Sequence, residues 1–409
     1  MADRVILHCD CNSFFASVET VLNPAYKNVP MAVCGSEENR HGIVLAKNEL
    51  AKKYGITTAE TIHSAKRKCP SLVIAAPHYE KYAEFSRRAN EIYARYTDMI
   101  EPFGIDESWL DVTGSRMLFG DGREIAEKIS SDIKRELGIT VSIGVSFNKV
   151  FAKLGSDYRK PDAITVIGRE DVERIVYPLP ISDLLFVGKK TAEALRSMGI
   201  RTIGELAAVP ENVLTLKFGK SGEMLYKYSR GLDDSAVSPA TEDAKSVSAA
   251  FTFKHDLTAR EELRAGIEFL SDEISMRLRA KGVVCRTLQV SVKDGLLRVV
   301  QRQRPVDPPS NISRELANLS FDILMGMCRD GDRVRMLSVC ATGLVPEDEL
   351  DTQLSILPEE NDAEREKMKK VDQTVDKIRQ KYGTKSIIKG AVVDTDIGVY
   401  DSPRKKVPK

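Results

Sequence analysis

Two acidic motifs, far apart in the chain, carry most of its chemistry. The first runs Leu7-His8-Cys9-Asp10-Cys11-Asn12-Ser13-Phe14-Phe15-Ala16-Ser17-Val18-Glu19, the second Gly104-Ile105-Asp106-Glu107-Ser108-Trp109-Leu110-Asp111-Val112. Each sets a carboxylate against a strand-like apolar run. If the two strands lie side by side, Asp10, Asp106 and Glu107 converge. Hard oxygen ligands of that kind suit Mg2+, which keeps several waters and completes its shell with substrate phosphates. Two such ions about 3.5–4 Å apart clamp the attacking and leaving oxygens of an in-line phosphoryl transfer. The pair of motifs therefore predicts two-metal nucleotidyl transfer. For either motif alone, the ordinary solvated end of a strand is the better reading. Asp111 lies on the strand beyond the turn and is set aside as a ligand.

These residues must be positioned by a chain of 409 residues, too long for one compact core. Its charges almost balance, with a formal net charge of +1, which argues against a tail-driven nucleic-acid binder. A basic groove beside an acidic site would cancel in that sum. The seven cysteines are scattered and odd in number, so no disulfide framework is expected and a reducing cytosol is. Cys9 and Cys11 share a strand face without a second ligand pair, which favours packing over zinc. No signal peptide and no membrane-length apolar run is visible, so a soluble cytoplasmic protein is expected.

Val5 to Cys9 reads as a buried strand, followed by a helix from Ser13 to Val21 with Ser13 as N-cap. Residues 31–35 and 42–46 read as strands, and 48–54 as a helix closed by Gly55. Residues 80–100 form an amphipathic helix whose core stripe is Tyr82, Phe85, Ala89, Ile92, Tyr93 and Tyr96. A strand at 139–145, a helix at 148–154 and a helical region at 183–206 follow. The polar stretch 231–244 reads as a linker. Beyond it come a helix (258–282), paired strands (285–293 and 297–304), a helix (312–327) and a strand (334–342). The tail holds Gln353-Leu354-Ser355-Ile356-Leu357 and a charged helix with Met368, Val371, Val375, Ile378 and Tyr382 at helical spacing. That helix docks either on this chain or on a partner.

With these motifs the chain resembles the Y-family DNA polymerases, in their polymerase IV branch. The likeness rests on the Asp10 and Asp106 motifs, the run from Ser142 to Pro161, Val187-Gly188-Lys189, Phe218-Gly219-Lys220 and Arg230-Gly231. It implies an α+β multidomain right hand. The palm is 1–12 with 78–168, the fingers 13–77, the helical thumb 169–232, the linker 233–244, the little finger 245–345 and the tail 346–409. It implies a monomeric translesion polymerase that adds deoxynucleotides to a primer 3′-hydroxyl on template DNA, in low-fidelity lesion bypass during DNA repair.

The resemblance also assigns residues. Asp10, Asp106, Glu107 and the main-chain carbonyl of Cys11 would hold two Mg2+ ions. Phe15, beside Phe14, is the steric gate that excludes a ribose 2′-hydroxyl, and Lys160 reaches the triphosphate. The family's finger Tyr and Arg are replaced by Glu49 and Lys52. Lys52 remains a triphosphate contact, as a point charge without a fork, and Glu49 is expected to point away or pair with a lysine. Gly188 and Lys189 belong to a helix-hairpin-helix-like turn that meets DNA phosphates. Phe186 stands at that turn's usual first glycine, so a packing-only turn competes. Arg286, Gln289, Lys293, Arg298, Arg302 and Arg304 are expected along the DNA backbone. Gln353, Leu354, Ile356 and Leu357 resemble a peptide that binds the bacterial sliding clamp. The rivals are a catalytically inactive polymerase-like DNA-binding accessory protein and a two-metal nuclease.

Overall fold

The structure is a computed structural model that describes residues 3–36, 40, 42–239, 244–329, 331–349, 362–393 and 395–399. It divides into two compact units, Met1–Cys34 with Val44–Thr241, and Gly35–Ile43 with Glu242–Lys409.

The first unit is built on a five-stranded sheet in the order Ile100–Pro102, Glu107–Asp111, Ile6–Cys11, Val141–Ser146, Ile164–Ile167. Ile6–Cys11 is the middle strand, antiparallel to both neighbours and buried throughout. Its period-2 alternation divides it by chemistry. Leu7, Cys9 and Cys11 enter the main core with Phe85, Ile92, Ile129 and Ile133 from the helices Tyr79–Tyr93 and Gly122–Leu137. Ile6, His8 and Asp10 face the helix Lys149–Tyr158.

Three differences from the expected elements have local causes. The aromatic-striped helix ends at Tyr93, not at residue 100, because Ile100–Pro102 pairs with Ser108–Leu110 as an edge strand. The helix Gly122–Leu137 was not anticipated, although a capping box at Asp121 and Glu124 opens it and Gly138, at φ 68°, closes it. Ser13 is no conventional cap; it sits in the left-handed region at φ 46° and its side chain makes no capping bond.

A three-stranded sheet (Met31–Cys34, Val44–Lys47, Val73–Ala75) has its own small core with Ile62 and Leu72. Four helices (Lys189–Ser197, Ile203–Ala208, Glu211–Phe218, Lys220–Ser229) pack Leu195, Ile203, Leu206 and Leu225 against Phe151 and Leu154. The stretch read as a linker is tied to the first unit as far as Ser238. The Arg4 guanidinium donates to the carbonyls of Asp233 and Ser235, Ser238 N donates to Glu101, and Val237 is buried with Ile6 and Trp109.

The second unit is a four-stranded antiparallel sheet in the order Val299–Ser310, Val283–Asp294, Val334–Pro346, Ser246–Leu257, packed with the helices Arg260–Ala280 and Ser313–Met325. The strand Ser246–Leu257 was not anticipated. Val299–Ser310 tolerates Pro305, Pro308 and Pro309 because it is an edge strand. The tail helix, Asp362–Tyr382, docks on this unit through charged side chains. Arg279 binds Asp372 at 3.1 Å and Asp376 at 2.6 Å, Arg379 binds Asp272 at 2.8 Å, and Arg365 binds Glu315 at 2.7 Å. Val371 and Tyr382 are exposed, while Val392, Ile397 and Val399 after the helix join the core. Among the described residues no helix is long and apolar enough to cross a membrane.

Candidate active site

Strand register brings the two acidic motifs together. Asp10 pairs with Glu107 across the sheet, and the carbonyl of Asp106 accepts the Cys11 amide at 3.0 Å. The three carboxylates thus cluster at one end of the middle strand. The helix Lys149–Tyr158 closes on that end because residue 144 is glycine; a Cβ there would fall 1.9 Å from the carbonyl of Ala152. The helix supplies two groups that the motif reading missed, Lys153 and Asp157. Lys153 Nζ lies 3.3 Å from Asp10, 3.0 Å from Glu107 and 3.2 Å from Asp157. Lys160, just beyond, binds Asp10 at 2.5 Å and Asp157 at 2.6 Å. The spacing of Lys153, Asp157 and Lys160, one helical turn apart, was a readable signal.

Burial and crowding set the charge states. Burial pushes the Asp10 carboxyl up to about 6, against the pull of Lys160 and Lys153 and with Glu107 adding repulsion. Burial and the neighbouring Glu107 also raise Asp106. Burial opposes ionisation of Glu107 as well, but His8 and Lys153 hold it below the usual range. His8 was also missed. It is buried, its Nδ1 lies 2.8 Å from Ser156 Oγ, and its Nε2 faces Glu107 at 3.4 Å without a well-formed hydrogen bond. Burial drives His8 down to about 4, so it is neutral at neutral pH.

A hard cation fits this donor set. Burial and like-charge repulsion oppose ionisation of Asp10 and Asp106, and a divalent ion relieves both. Lys153 and Lys160 partly fill that role here. Glu107 is engaged by Lys153, and among the described residues no three His, Cys, Asp or Glu side chains are arranged as a ready-made metal cluster. Burial pushes the Cys11 thiol up to about 12, so it stays protonated and its carbonyl is the only candidate donor on that residue.

Next to the carboxylates stand Phe14 and Phe15, and the structure separates them. Phe14 is 3% exposed and belongs to the core. Phe15 is half-buried, its ring stacked on Tyr82 at 4.1 Å and edge-on to Tyr79. Glu49 pairs with Lys52 at 2.6 Å and accepts from Ser13 Oγ at 3.0 Å, so the finger lysine's charge is partly answered within its own turn.

Gly188 caps the helix Lys189–Ser197 with open space around its α-carbon, and Lys189 is exposed beside it. Phe186 adopts the left-handed conformation its glycine counterpart would favour, at φ 65°, and packs against Phe103 and Tyr228 while 55% exposed.

The basic residues of the second unit do not share one face. Arg302 and Arg304 pair with the buried Val290 and Leu288, on the helix-covered side of the edge strand. The Arg302 guanidinium donates to Gly326 O at 3.1 Å. Arg298 sits in the turn, bound to Asp294 at 2.7 Å. Gln289 and Lys293 alternate with the buried Leu288, Val290 and Val292, so they lie on the opposite, open face. Arg286 is exposed at a bulge between Cys285 and Thr287. Gln353, Leu354, Ile356 and Leu357 lie outside the described residues.

The chain is similar in sequence and fold to known proteins. Residues 9–157 match the impB/mucB/samB family, residues 244–356 that family's C-terminal domain, and residues 182–233 a thumb domain described from DNA polymerase iota. DNA polymerase IV of Acetivibrio thermocellus is 44% identical over 394 residues, 95% of this chain and 98% of that protein. DNA polymerase IV 1 of Bacillus subtilis is 36% identical over 399 residues, 95% and 93% of the two chains. The solved structure of a Y-family DNA polymerase chimera matches at a TM-score of 0.76 and 25% identity, covering 83% of this chain and 99% of its own. Fold and site together define a Y-family DNA polymerase. Within that class the chain belongs to the impB/mucB/samB family, in its polymerase IV branch, and is a DNA-directed DNA polymerase of the translesion type.

Proposed function

We propose that the chain extends a primer 3′-hydroxyl on a DNA template by attack on the α-phosphate of a deoxynucleoside triphosphate, with Asp10, Asp106 and Glu107 as the catalytic carboxylates. The observation that carries this reading is the register pairing of Asp10 with Glu107, which sets three carboxylates at one strand end beside two lysines. Two Mg2+ ions, held by these carboxylates and the Cys11 carbonyl, would supply charge neutralisation at the attacking and leaving oxygens. Lys153 releases Glu107 to that role. Lys160 exchanges Asp10 for the triphosphate, where a cation offsets charge developing on the leaving phosphates. Phe15 lies under the sugar and excludes a 2′-hydroxyl by contact.

The first unit supplies palm (1–12 and 78–168), thumb (169–232) and the fingers (13–77) apart from Gly35–Ile43, and the second supplies the little finger (245–345). Gly188, Lys189, Arg286 and Lys293 contact the DNA backbone. The chain works as a cytoplasmic monomer, and Gln353–Leu357 tethers it to the bacterial sliding clamp. Primer extension with Mg2+ tests the core of this reading. Asp106→Ala abolishes extension while duplex binding survives; extension near the wild-type rate would overturn the site. Deleting 353–357 leaves basal extension intact and removes stimulation by a loaded clamp, since a tether raises effective concentration without changing chemistry. Equal stimulation in both proteins would overturn the tether.

A further inference from the structure

Glu19 is 2% exposed, and nothing in the reaction above uses it. It lies four residues after Phe15 on the helix Phe14–Leu22, so the two side chains share a helix face one turn apart. Its carboxylate accepts from the Tyr82 hydroxyl at 2.5 Å and faces His78 Nδ1 at 2.9 Å. A carboxylate only accepts, so the imidazole proton sits on Nδ1. His78 and Tyr82 stand one turn apart at the start of the helix Tyr79–Tyr93. Tyr82 is also the surface on which Phe15 stacks, with the rings 11° from parallel. Burial, with the Glu19 charge beside it, pushes the Tyr82 phenol far up, which keeps its proton in the hydrogen bond. The helix that carries Phe15 thus also carries the group that pins the ring beneath Phe15.

We propose that Glu19 is a positioning residue for sugar selection. Through the Tyr82 hydroxyl and His78 it locks the Tyr82 ring, and the locked ring fixes how far Phe15 projects into the sugar pocket. Excluding one oxygen atom by contact requires the excluding ring to be held within about 0.5 Å, which surrounding residues must enforce. Hydrophobic stacking alone lets two rings slide over each other. A directional bond to a buried anion at the rim of the lower ring removes that freedom. The inference rests on the reading of Phe15 as the gate, and its test separates the two.

The test measures kcat/KM for a deoxynucleotide and its ribonucleotide in Phe15→Ala, Tyr82→Phe, Glu19→Leu and Glu19→Gln, with melting curves for each. Phe15→Ala loses most of the discrimination. Tyr82→Phe, which deletes one oxygen atom, and Glu19→Leu lower it by about tenfold, the size expected from one lost hydrogen bond. They do so by admitting ribonucleotides, with deoxynucleotide use near wild type. Glu19→Gln keeps the discrimination, because its amide oxygen still accepts from Tyr82. If Phe15→Ala discriminates like wild type, the gate reading falls and this inference with it. If Phe15→Ala loses discrimination but Tyr82→Phe retains it in full, the gate stands and the role of Glu19 is overturned. Equal slowing of both nucleotides in Tyr82→Phe and Glu19→Leu would make Glu19 a structural residue only and would also overturn it. Should Glu19→Leu fail to fold, Tyr82→Phe alone decides.

Discussion

Two of the places where the chain buries charge settle it differently. In the second unit, Arg279 and Arg379 are almost fully buried, and each guanidinium is answered on several sides. Arg279 meets Asp372, Asp376 and the Asn311 carbonyl, and Arg379 meets Asp272 and the Ile387 carbonyl. In the first unit, four carboxylates (Asp10, Asp106, Glu107, Asp157) surround two lysines, and His8 is neutral. Arginine forks satisfy both oxygens of a carboxylate and fix geometry. Lysine offers a compact charge that can move between partners. The seam that docks the tail helix is therefore a closed set of contacts. The acidic cluster is left with surplus negative charge and lysine counter-ions, a state suited to taking up cations and phosphates at a cost in stability.

Four measurements bear on this contrast, in order of effect. Asp10→Asn lowers primer extension by about 10³-fold or more, as expected for a group that holds charge in the transition state. The same variant gains stability. Without metal, the folded-state value of Asp10, about 6, lies above its ordinary 3.8, so its contribution is fully present below pH 4 and is lost as pH rises through 6. In a chelator at pH 8 the variant melts higher than wild type, by an amount on the order of 2–3 kcal/mol for that shift. At pH 4 the gap closes. A variant that melts lower at pH 8 would place the site in the same class as the closed seam.

Arg279→Ala works in the opposite direction. Removing one partner strands Asp372 and Asp376 in a buried setting and costs about 3–5 kcal/mol. Urea unfolding followed by proteolysis at the tail helix reads the loss, and a change under 1 kcal/mol would mean the seam is solvated. The third measurement concerns DNA. Replacing Arg286 and Lys293 with Ala flattens the slope of log affinity against log salt by up to about 1.8 on duplex DNA, whereas Arg298→Ala hardly moves it, because Asp294 already holds that charge. The reverse pattern would show that the edge of the sheet, not its open face, meets phosphate. The smallest effect belongs to Glu49→Gln. An exposed pair such as Glu49–Lys52 is worth about 0.2–1 kcal/mol, so stability barely changes. The freed Lys52 lowers the KM for the incoming nucleotide severalfold. An unchanged KM would remove Lys52 from the triphosphate site.

What the sequence alone determined is what short-range pattern can encode. The strand was legible as a short buried run from Val5 to Cys9, and Asp10 just beyond it through its match with the second acidic motif at Asp106 and Glu107. A helix over 148–154 was legible, though it runs on to Tyr158, and the tail helix was legible from its spacing. Even where a local signal was present, as in the capping box at Asp121 and Glu124, it named an element without naming its neighbours. Tertiary structure decided the rest, because contact between distant residues depends on register, on bulges and on which faces other elements cover. Lys153 and Asp10 are 143 residues apart, and only the close approach over Gly144 joins them. Arg298, Arg302 and Arg304 looked like one basic stripe by spacing. Pairing of Arg302 and Arg304 with Val290 and Leu288 sends those two to the helix side, and the turn takes Arg298. The tail helix carried a plausible apolar stripe, and it docks through charged side chains because Arg279 and Asp272, buried on another helix, need counter-charges there. Glu19 carries no local sequence signal of its role. Only the packing of two helices shows that it is buried, and that the ring it holds lies under Phe15.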